Sequence, residues 1–137
     1  MADFKKLHVW RKAHALALNT DHVAAKIRPQ RHSSLRSQMG RATMSISANI
    51  VEGRGKTSEA EFARYLRSAV NSATELEYHL LVAHDLKAIS TTHYAKLTRQ
   101  TIEVRKMLYG LLDRISARKA KQNRRDEQSR PHDESLS

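Results

Sequence analysis

Apolar residues recur along most of the chain at spacings of three and four, the period of an amphipathic α-helix. Four stretches with this pattern predict helices over about residues 3–28, 34–52, 58–86 and 92–116. Short links place consecutive helices antiparallel, and apolar positions that repeat at about 3.5 residues favour left-handed packing. We therefore expect an all-α fold, a left-handed, up-down-up-down antiparallel four-helix bundle over residues 1–116.

The expected helix boundaries are set by residues that satisfy free backbone groups or end the helical pattern. Asp3 is the expected N-cap of the first helix, and Pro29 is expected to stop that helix near Arg28. Gly53 is expected just past the second helix, in the left-handed conformation that glycine adopts at C′. The sequence Ser58-Glu-Ala-Glu61 predicts a capping box at the start of the third helix.

Two features concern the surface of the bundle and its end. Apolar residues become scarce after Ile115, and residues 117–137 are expected to form a basic, polar, disordered tail. The apolar faces of the third and fourth helices are wider than a single seam. A wide face can fill a thick core or form a subunit interface, and we expect an oligomer because large exposed apolar patches are rare in monomers.

Composition excludes several classes of function. The chain has no cysteine, which excludes disulfides and thiolate metal sites. Its eight histidines form no metal-ligand motif, and no nucleophile motif or phosphate loop is present, so we expect no metal, no cofactor and no enzymatic activity. No signal peptide is recognisable and no apolar run is long enough to span a membrane, which predicts a cytoplasmic protein.

The strongest signal in the composition is a formal charge of +11. Residues 1–115 contain nineteen Lys/Arg and ten Asp/Glu, so the predicted bundle carries +9 by itself. Such an excess favours polyanionic partners, either RNA or DNA or an acidic protein surface. The basic residues that we consider candidates for nucleic-acid binding are Arg28, Arg31, Arg36, Arg41, Arg54 and Lys56. For any one of them, a solvated helix face is the simpler interpretation.

The segment from Ser45 to Lys56 departs most from a generic helix, because it places Asn49 among apolar residues and ends with two glycines. We interpret it mainly as a polar lock between the second and third helices, and a ligand site is the alternative. A buried amide at position 49 would need a hydrogen-bond partner, for which Ser72 and Glu75 are the candidates. The residues of the predicted lock are Ser45, Asn49, Glu52, Gly53, Ser72 and Glu75.

The same segment carries a resemblance to a known family. The pattern L-x-x-Q-x-x-R-A-x-x-S-I-x-x-N-I-x-E-G spans Leu35 to Gly53, and E-F-x-x-Y-L with S-x-x-E-L follows between Glu61 and Leu76. In these motifs the chain resembles the four-helix-bundle proteins named after the 23S rRNA intervening sequence. The resemblance covers about residues 7–115 and leaves the basic tail outside.

The resemblance implies a homopentamer of four-helix bundles around a central channel. It also implies a relation to the accessory variability determinants of diversity-generating retroelements, which associate with nucleic acid and a reverse transcriptase. Two functions are therefore expected. The first is a non-enzymatic, oligomeric accessory protein that binds nucleic acid non-specifically through a basic surface. The second is a structural or protein-interaction scaffold without a nucleic-acid ligand.

Overall fold

The structure is a computed structural model that describes residues 3–131. A short 3-10 helix, Phe4–Lys6, precedes four α-helices, which are α1 (His8–Ala24), α2 (Pro29–Arg54), α3 (Glu59–Asp85) and α4 (Thr91–Ser129). No strand occurs among the described residues, and the all-α prediction is confirmed.

Each α-helix packs against two others, so that the four helices form the corners of a bundle. α1 packs on α2, α2 on α3 and α3 on α4, and α4 returns to α1. The diagonal pairs do not approach each other closely within residues 3–131. Consecutive helices are joined by short links, residues 25–28, 55–58 and 86–90, which make neighbouring helices antiparallel. The predicted antiparallel four-helix bundle is confirmed.

The predicted apolar seams form the core. Each helix contributes a large aliphatic side chain that is completely buried, such as Leu16 in α1, Met39 in α2, Leu66 in α3 and Leu108 in α4. Burying each such side chain contributes about 1.5–3 kcal/mol, so the seams are the main source of stability. The periodicity of the sequence is therefore explained by packing along the whole length of the bundle.

The first helix is shorter than predicted at both ends. Asp3 caps the 3-10 helix, where its side chain accepts a hydrogen bond from the Lys5 backbone N–H at 3.0 Å, and does not cap α1. Leu7 is extended and separates the two helices. At the other end the backbone tightens after Ala24 and Arg28 is extended, because a residue before proline is disfavoured in the α conformation.

The second helix contains a break close to its predicted start. Pro29 occupies the first turn of α2, where its missing N–H needs no partner, and so begins a helical turn as well as ending the link from α1. His32 then has non-helical backbone angles, φ −137° and ψ 35°. The regular part of α2 begins after His32, in agreement with a predicted start near residue 34.

Gly53 has a role that the sequence analysis did not predict. It lies inside α2, is buried, and no glycine among the described residues has a positive φ, so the prediction of a left-handed C′ glycine is wrong. A β-carbon placed on Gly53 would lie 2.7 Å from Tyr65 Cβ and 2.9 Å from Phe62 Cδ1. The glycine is required because α2 and α3 pass each other closely at this point.

The last helix continues well beyond its predicted end. α4 has 39 residues and reaches Ser129, whereas we expected the helix to stop near residue 116. Residues 117–129 contain no glycine or proline and consist largely of Ala, Lys, Arg, Gln and Glu, which favour helix. Pro131 follows the end of the helix. The predicted disorder of residues 132–137 lies outside the described residues.

Candidate nucleic-acid interface

The six predicted binding cations do not lie on one surface. Arg28 precedes α2 and Arg54 ends it, so they are about 39 Å apart along a helix of 26 residues. Arg31, Arg36 and Arg41 are spaced by five, which rotates each by about 140° from the one before. Arg41 also donates a hydrogen bond to Ser37 Oγ at 2.9 Å. The candidates therefore include residues at both ends of the bundle. Those along α2 between the ends do not lie on one face of the helix.

Two of the six come together at one end, in a cavity of about 470 Å³ between the α1–α2 link and the end of α3. Arg28 and Arg31 line it with Lys26, His32 and Lys87. Arg28 is extended before Pro29, and His32 breaks the first turn of α2, so this backbone departs from a straight helix beside the cavity. The remaining lining residues are Leu86 and Ala88.

The backbone at the end of α3 fixes the position of Lys87. The Ala88 N–H donates to the Ala83 carbonyl at 2.8 Å, and the Lys87 N–H donates to the His84 carbonyl at 2.9 Å. These two bonds are the Schellman pattern that satisfies the last carbonyls of a helix. Lys87 occupies the left-handed position with φ 58°, which glycine usually takes. The chain thus holds a lysine, at some conformational cost, where it lines the cavity.

The charged side chains that line the cavity are all positive. Four cationic side chains and one histidine line it, and none of the lining residues is acidic. The nearest carboxylate in the sequence, Asp85, lies 3.8 Å from His84 Nδ1. The positive end of the α2 dipole opens at the same place. Since cations at close range repel one another, an anionic group bound here would be favoured, and phosphate is one of the anions that Arg and Lys bind through charge-assisted hydrogen bonds.

The cations at the opposite end of α2 lie against aromatic rings. Arg54 Cζ is 5.9 Å from the Phe62 ring centroid, and Lys56 Nζ is 5.3 Å from that of Tyr65. Arg54 Nε is buried without a hydrogen-bond partner among the described residues. These contacts anchor the α2–α3 turn, because a cation over a ring is attracted to its negative face. Arg54 and Lys56 thus have a packing role in addition to their charge.

The predicted polar lock exists in a different form. Ser45 Oγ lies 2.8 Å from Ser72 Oγ and joins α2 to α3. Asn49 is only half-buried and donates within its own helix, to the Ser45 carbonyl at 2.8 Å and to Ser45 Oγ at 3.2 Å. The prediction that Asn49 reaches Ser72 or Glu75 is therefore wrong, because Ile50 occupies the seam and turns Asn49 aside.

Glu52 and Glu75, which were also predicted members of the lock, take no part in it. Glu52 is exposed, and its side chain makes no hydrogen bond or ion pair within residues 3–131. Glu75 is exposed and lies 3.3 Å from His79 Nε2 on the same helix. The side-chain hydrogen bond between α2 and α3 thus joins Ser45 and Ser72, and Asn49 donates a further hydrogen bond to Ser45.

Lys26, His32 and Lys87 are the cavity residues that the sequence analysis missed. A signal was available, because an up-down-up-down bundle brings the first and third links to the same end. Combining the cations of those two links would have grouped Lys26 and Arg28 with Lys87. The sequence pattern did not show that Lys87 occupies the left-handed position at the end of α3, which glycine usually takes.

The outer face of α4 carries an apolar groove of about 600 Å³. Tyr94, Ile102 and Met107 contribute its apolar surface, and Arg99 and Lys106 flank it. Other large apolar side chains are exposed elsewhere on the single chain, with Met44 at 63% and Tyr78 at 61%. Single exposed apolar side chains are ordinary on a monomer, whereas the α4 groove groups several of them.

The described part of the chain contains neither a clustered set of metal ligands nor a membrane-spanning helix. No group of three or more His, Asp or Glu side chains there is arranged to hold a metal ion. None of the helices is both long enough and apolar enough to cross a bilayer.

The fold and this site define a basic four-helix-bundle protein with an acid-free cationic cavity at one end. The family model described as "23S rRNA-intervening sequence protein" matches residues 5–110, which is most of the chain. The chain therefore belongs to this family. The resemblance seen in the motifs of α2 and α3 is confirmed at this level.

A solved structure supports the fold. It is the crystal structure of a protein of unknown function from the S23 ribosomal protein family of Bacteroides thetaiotaomicron. It superimposes with a TM-score of 0.69 at 24% sequence identity, covering 76% of this chain and 97% of that chain. At this identity the likeness shows the fold alone. No curated protein is significantly similar in sequence.

Proposed function

We propose that the protein is a non-enzymatic, oligomeric accessory protein that binds nucleic acid through phosphates, without sequence preference. The observation that carries this proposal is the cavity in which Lys26, Arg28, Arg31 and Lys87 converge with no acidic lining residue. A site of this kind is complementary to neighbouring phosphates of a polynucleotide backbone. The family name, which refers to an rRNA intervening sequence, is consistent with such a ligand.

Sequence-independent binding follows from what the surface offers. Phosphate contacts position a protein on nucleic acid but carry no sequence information. The cavity is lined mainly by Lys and Arg, and among its lining residues only His32 has a ring on which a base could stack. Base reading would need an element that enters a groove or a stacking platform, and the bundle core uses its helices for packing.

Self-association is the second part of the proposal. The α4 groove and the exposed apolar side chains, such as Tyr78 and Tyr109, provide surface that a subunit interface would bury. The family resemblance favours a pentamer. Five copies of a body with charge +9 would give +45 in one particle, which would strengthen attraction to a polyanion. The relation to retroelement accessory proteins receives no support from the family match, and no reverse-transcriptase partner is proposed.

The test compares two double variants of equal charge by fluorescence anisotropy with a labelled RNA or DNA. Arg28→Gln with Lys87→Gln removes two cavity cations. Arg41→Gln with Arg67→Gln removes two exposed cations elsewhere. At about 100 mM salt we expect the cavity pair to weaken binding about tenfold and the control pair by less than about threefold. Equal losses would exclude the cavity as the site.

A protein-interaction scaffold is the second candidate function, and the α4 groove is the observation that favours it. Under this alternative the charge would serve solubility or an acidic protein partner. The same titration separates the two functions. Absence of binding to RNA and to DNA at about 50 mM salt, where phosphate contacts are strongest, would contradict the nucleic-acid proposal and favour the scaffold.

A further inference from the structure

The final part of α4, residues 116–129, is a basic helical arm whose residues are all exposed. Ile115 is the last buried residue of α4, and every described residue after it is exposed. α4 has 39 residues against 27 in α3, a difference of about 18 Å in length. Arg118 bonds to Glu59, the first residue of α3, at 2.7 Å. The arm therefore continues α4 past the start of its neighbour.

Four of the seven cations from Arg114 to Arg130 share one face of the helix. Arg114, Arg118, Lys121 and Arg125 follow 4-3-4 spacing, which places them within about 60° on one face. Along the helix they extend over about 16 Å. We call these four residues the basic stripe of the arm, although Arg114 lies just before residue 116 and only the other three lie in the arm itself. Asp126 and Glu127 lie on the opposite side of the helix, about 110° and 150° away from the centre of the stripe.

The basic stripe destabilises the helix that carries it. Arg114 and Arg118 are four apart, as are Lys121 and Arg125, and like charges at this spacing repel each other. Only Arg118 has an acidic partner, Glu59, among the described residues. No apolar contact offsets the repulsion, because the helix after Ile115 buries nothing. A bound polyanion would remove this repulsion along the whole stripe.

The composition of the arm favours a duplex as the polyanion. The arm contains no Phe, Tyr, Trp or His, so it offers no ring on which an unpaired base could stack. With both strands counted, a duplex carries one negative charge per about 1.7 Å of axis, so a length of axis equal to the stripe contains about nine phosphates, about five of them on one strand. A straight row of cations fits such a dense array of phosphates at fixed positions.

We propose that the basic stripe of the α4 arm is a binding surface for the phosphate backbone of double-stranded nucleic acid. This inference rests on the proposed function and names a second contact, remote from the cavity. It also concerns a part of the chain that the family match does not reach, since that match ends at residue 110. Sequence-independent binding is expected here as well, because the stripe contacts phosphates.

The test uses the full-length chain and a pair of matched variants. Lys121→Gln with Arg125→Gln removes two charges from the stripe. The control, Lys119→Gln with Arg130→Gln, removes two charges from outside it, one on the other side of the helix and one at the residue that follows the helix. Binding to an RNA duplex, a DNA duplex and a single strand is followed over a salt series. Circular dichroism checks the helix content of each variant, which we expect to be unchanged in both because all four residues are exposed.

For the stripe variant we expect about a tenfold loss of duplex affinity and a slope of log K against log salt that is shallower by about 2. The control variant should lose less than about threefold. A loss on RNA, on DNA or on both supports the stripe and identifies the polymer. Equal losses in the two variants, or a larger loss on the single strand, would overturn it.

The result also separates this inference from the proposed function. If the wild-type chain binds duplex and neither arm variant differs from it, the stripe is excluded while the cavity proposal stands. If the wild-type chain binds no nucleic acid at about 50 mM salt, both fail together.

Discussion

Replacing Gly53 with alanine tests the closest approach between α2 and α3. The added β-carbon would meet Tyr65 Cβ at 2.7 Å and Phe62 Cδ1 at 2.9 Å, and the Phe62 carbonyl oxygen at 3.4 Å. Optimal contacts between carbon atoms are about 3.5–4.0 Å. A β-carbon is attached to the backbone and cannot rotate away, so the helices would have to separate by about 1 Å.

Two opposing effects determine the magnitude. Alanine is favoured over glycine in a helix interior by about 1 kcal/mol, which would stabilise the variant. Forcing an extra carbon into a packed interface costs about 1–3 kcal/mol, and the upper part of that range applies where the neighbour is rigid. We therefore expect Gly53→Ala to destabilise the protein by about 1–2 kcal/mol.

Gly40 provides a matched control. It is also inside α2, but a β-carbon placed there meets nothing within 4 Å. Gly40→Ala should therefore stabilise the protein by about 0.5–1 kcal/mol through helix propensity alone. With an m-value of about 2 kcal/mol/M, the urea midpoints of the two variants should differ by about 1 M.

The assay is urea unfolding followed by circular dichroism, at one protein concentration because self-association would make stability depend on concentration. A Gly53→Ala variant as stable as Gly40→Ala would refute the close approach of α2 and α3. A lower midpoint with an unchanged m-value would show that stability, and not the extent of unfolding, has changed.

Three further substitutions test local features. Lys87→Gly should stabilise the protein by about 0.5–1 kcal/mol because it relieves a positive φ, and Lys87→Ala, which keeps the β-carbon, should give no such gain in thermal unfolding. Ser72→Ala should cost about 1 kcal/mol in urea unfolding, and a neutral result would mean that the Ser45 bond contributes nothing. Asn49→Leu should preserve the fold and self-association measured by light scattering, since Asn49 bonds only within α2, and altered assembly would restore a role in register.

The fold could be predicted because its determinants repeat. The seam residues of α1 and α3, from Val9 to Val23 and from Phe62 to Ala83, are buried as the period requires. Ser58 and Ser90 cap α3 and α4 by accepting bonds from Glu61 and His93 backbone N–H groups. Helix capping and packing between helices indicate the same helices at these positions. The sequence pattern is therefore sufficient to predict them.

The differences arise where contacts between helices decide the outcome. Nothing local distinguishes a C′ glycine from a glycine required by a neighbouring helix, and Gly53 belongs to the second kind because Tyr65 lies against it. The seam passes through Ile50 and not Asn49, a shift of one position that changes the partner of Ser72. The extension of α4 to Ser129 follows from the high helix propensity of its residues. The sequence analysis ended the helix near residue 116 because apolar residues become scarce there.

The candidate site was only partly predictable for a similar reason. Charge identified Arg28 and Arg31, but grouping them required knowing which links share an end of the bundle. Lys26 and Lys87 come from two different links and meet only in three dimensions. Conversely, Arg54 and Lys56 were as good candidates for nucleic-acid binding in the sequence as Arg28 and Arg31. Only the packing of the α2–α3 turn shows that their side chains lie against aromatic rings.

The central claim is that the basic surface binds nucleic acid through phosphates, and the salt dependence of wild-type binding tests it most directly. If the four cavity cations each contact a phosphate, log K should fall with log salt at a slope of about −3.6 or steeper on a duplex. Affinity should then drop about 100-fold between about 50 mM and 200 mM salt. A slope close to zero, or no binding at the lower salt concentration, would contradict the account.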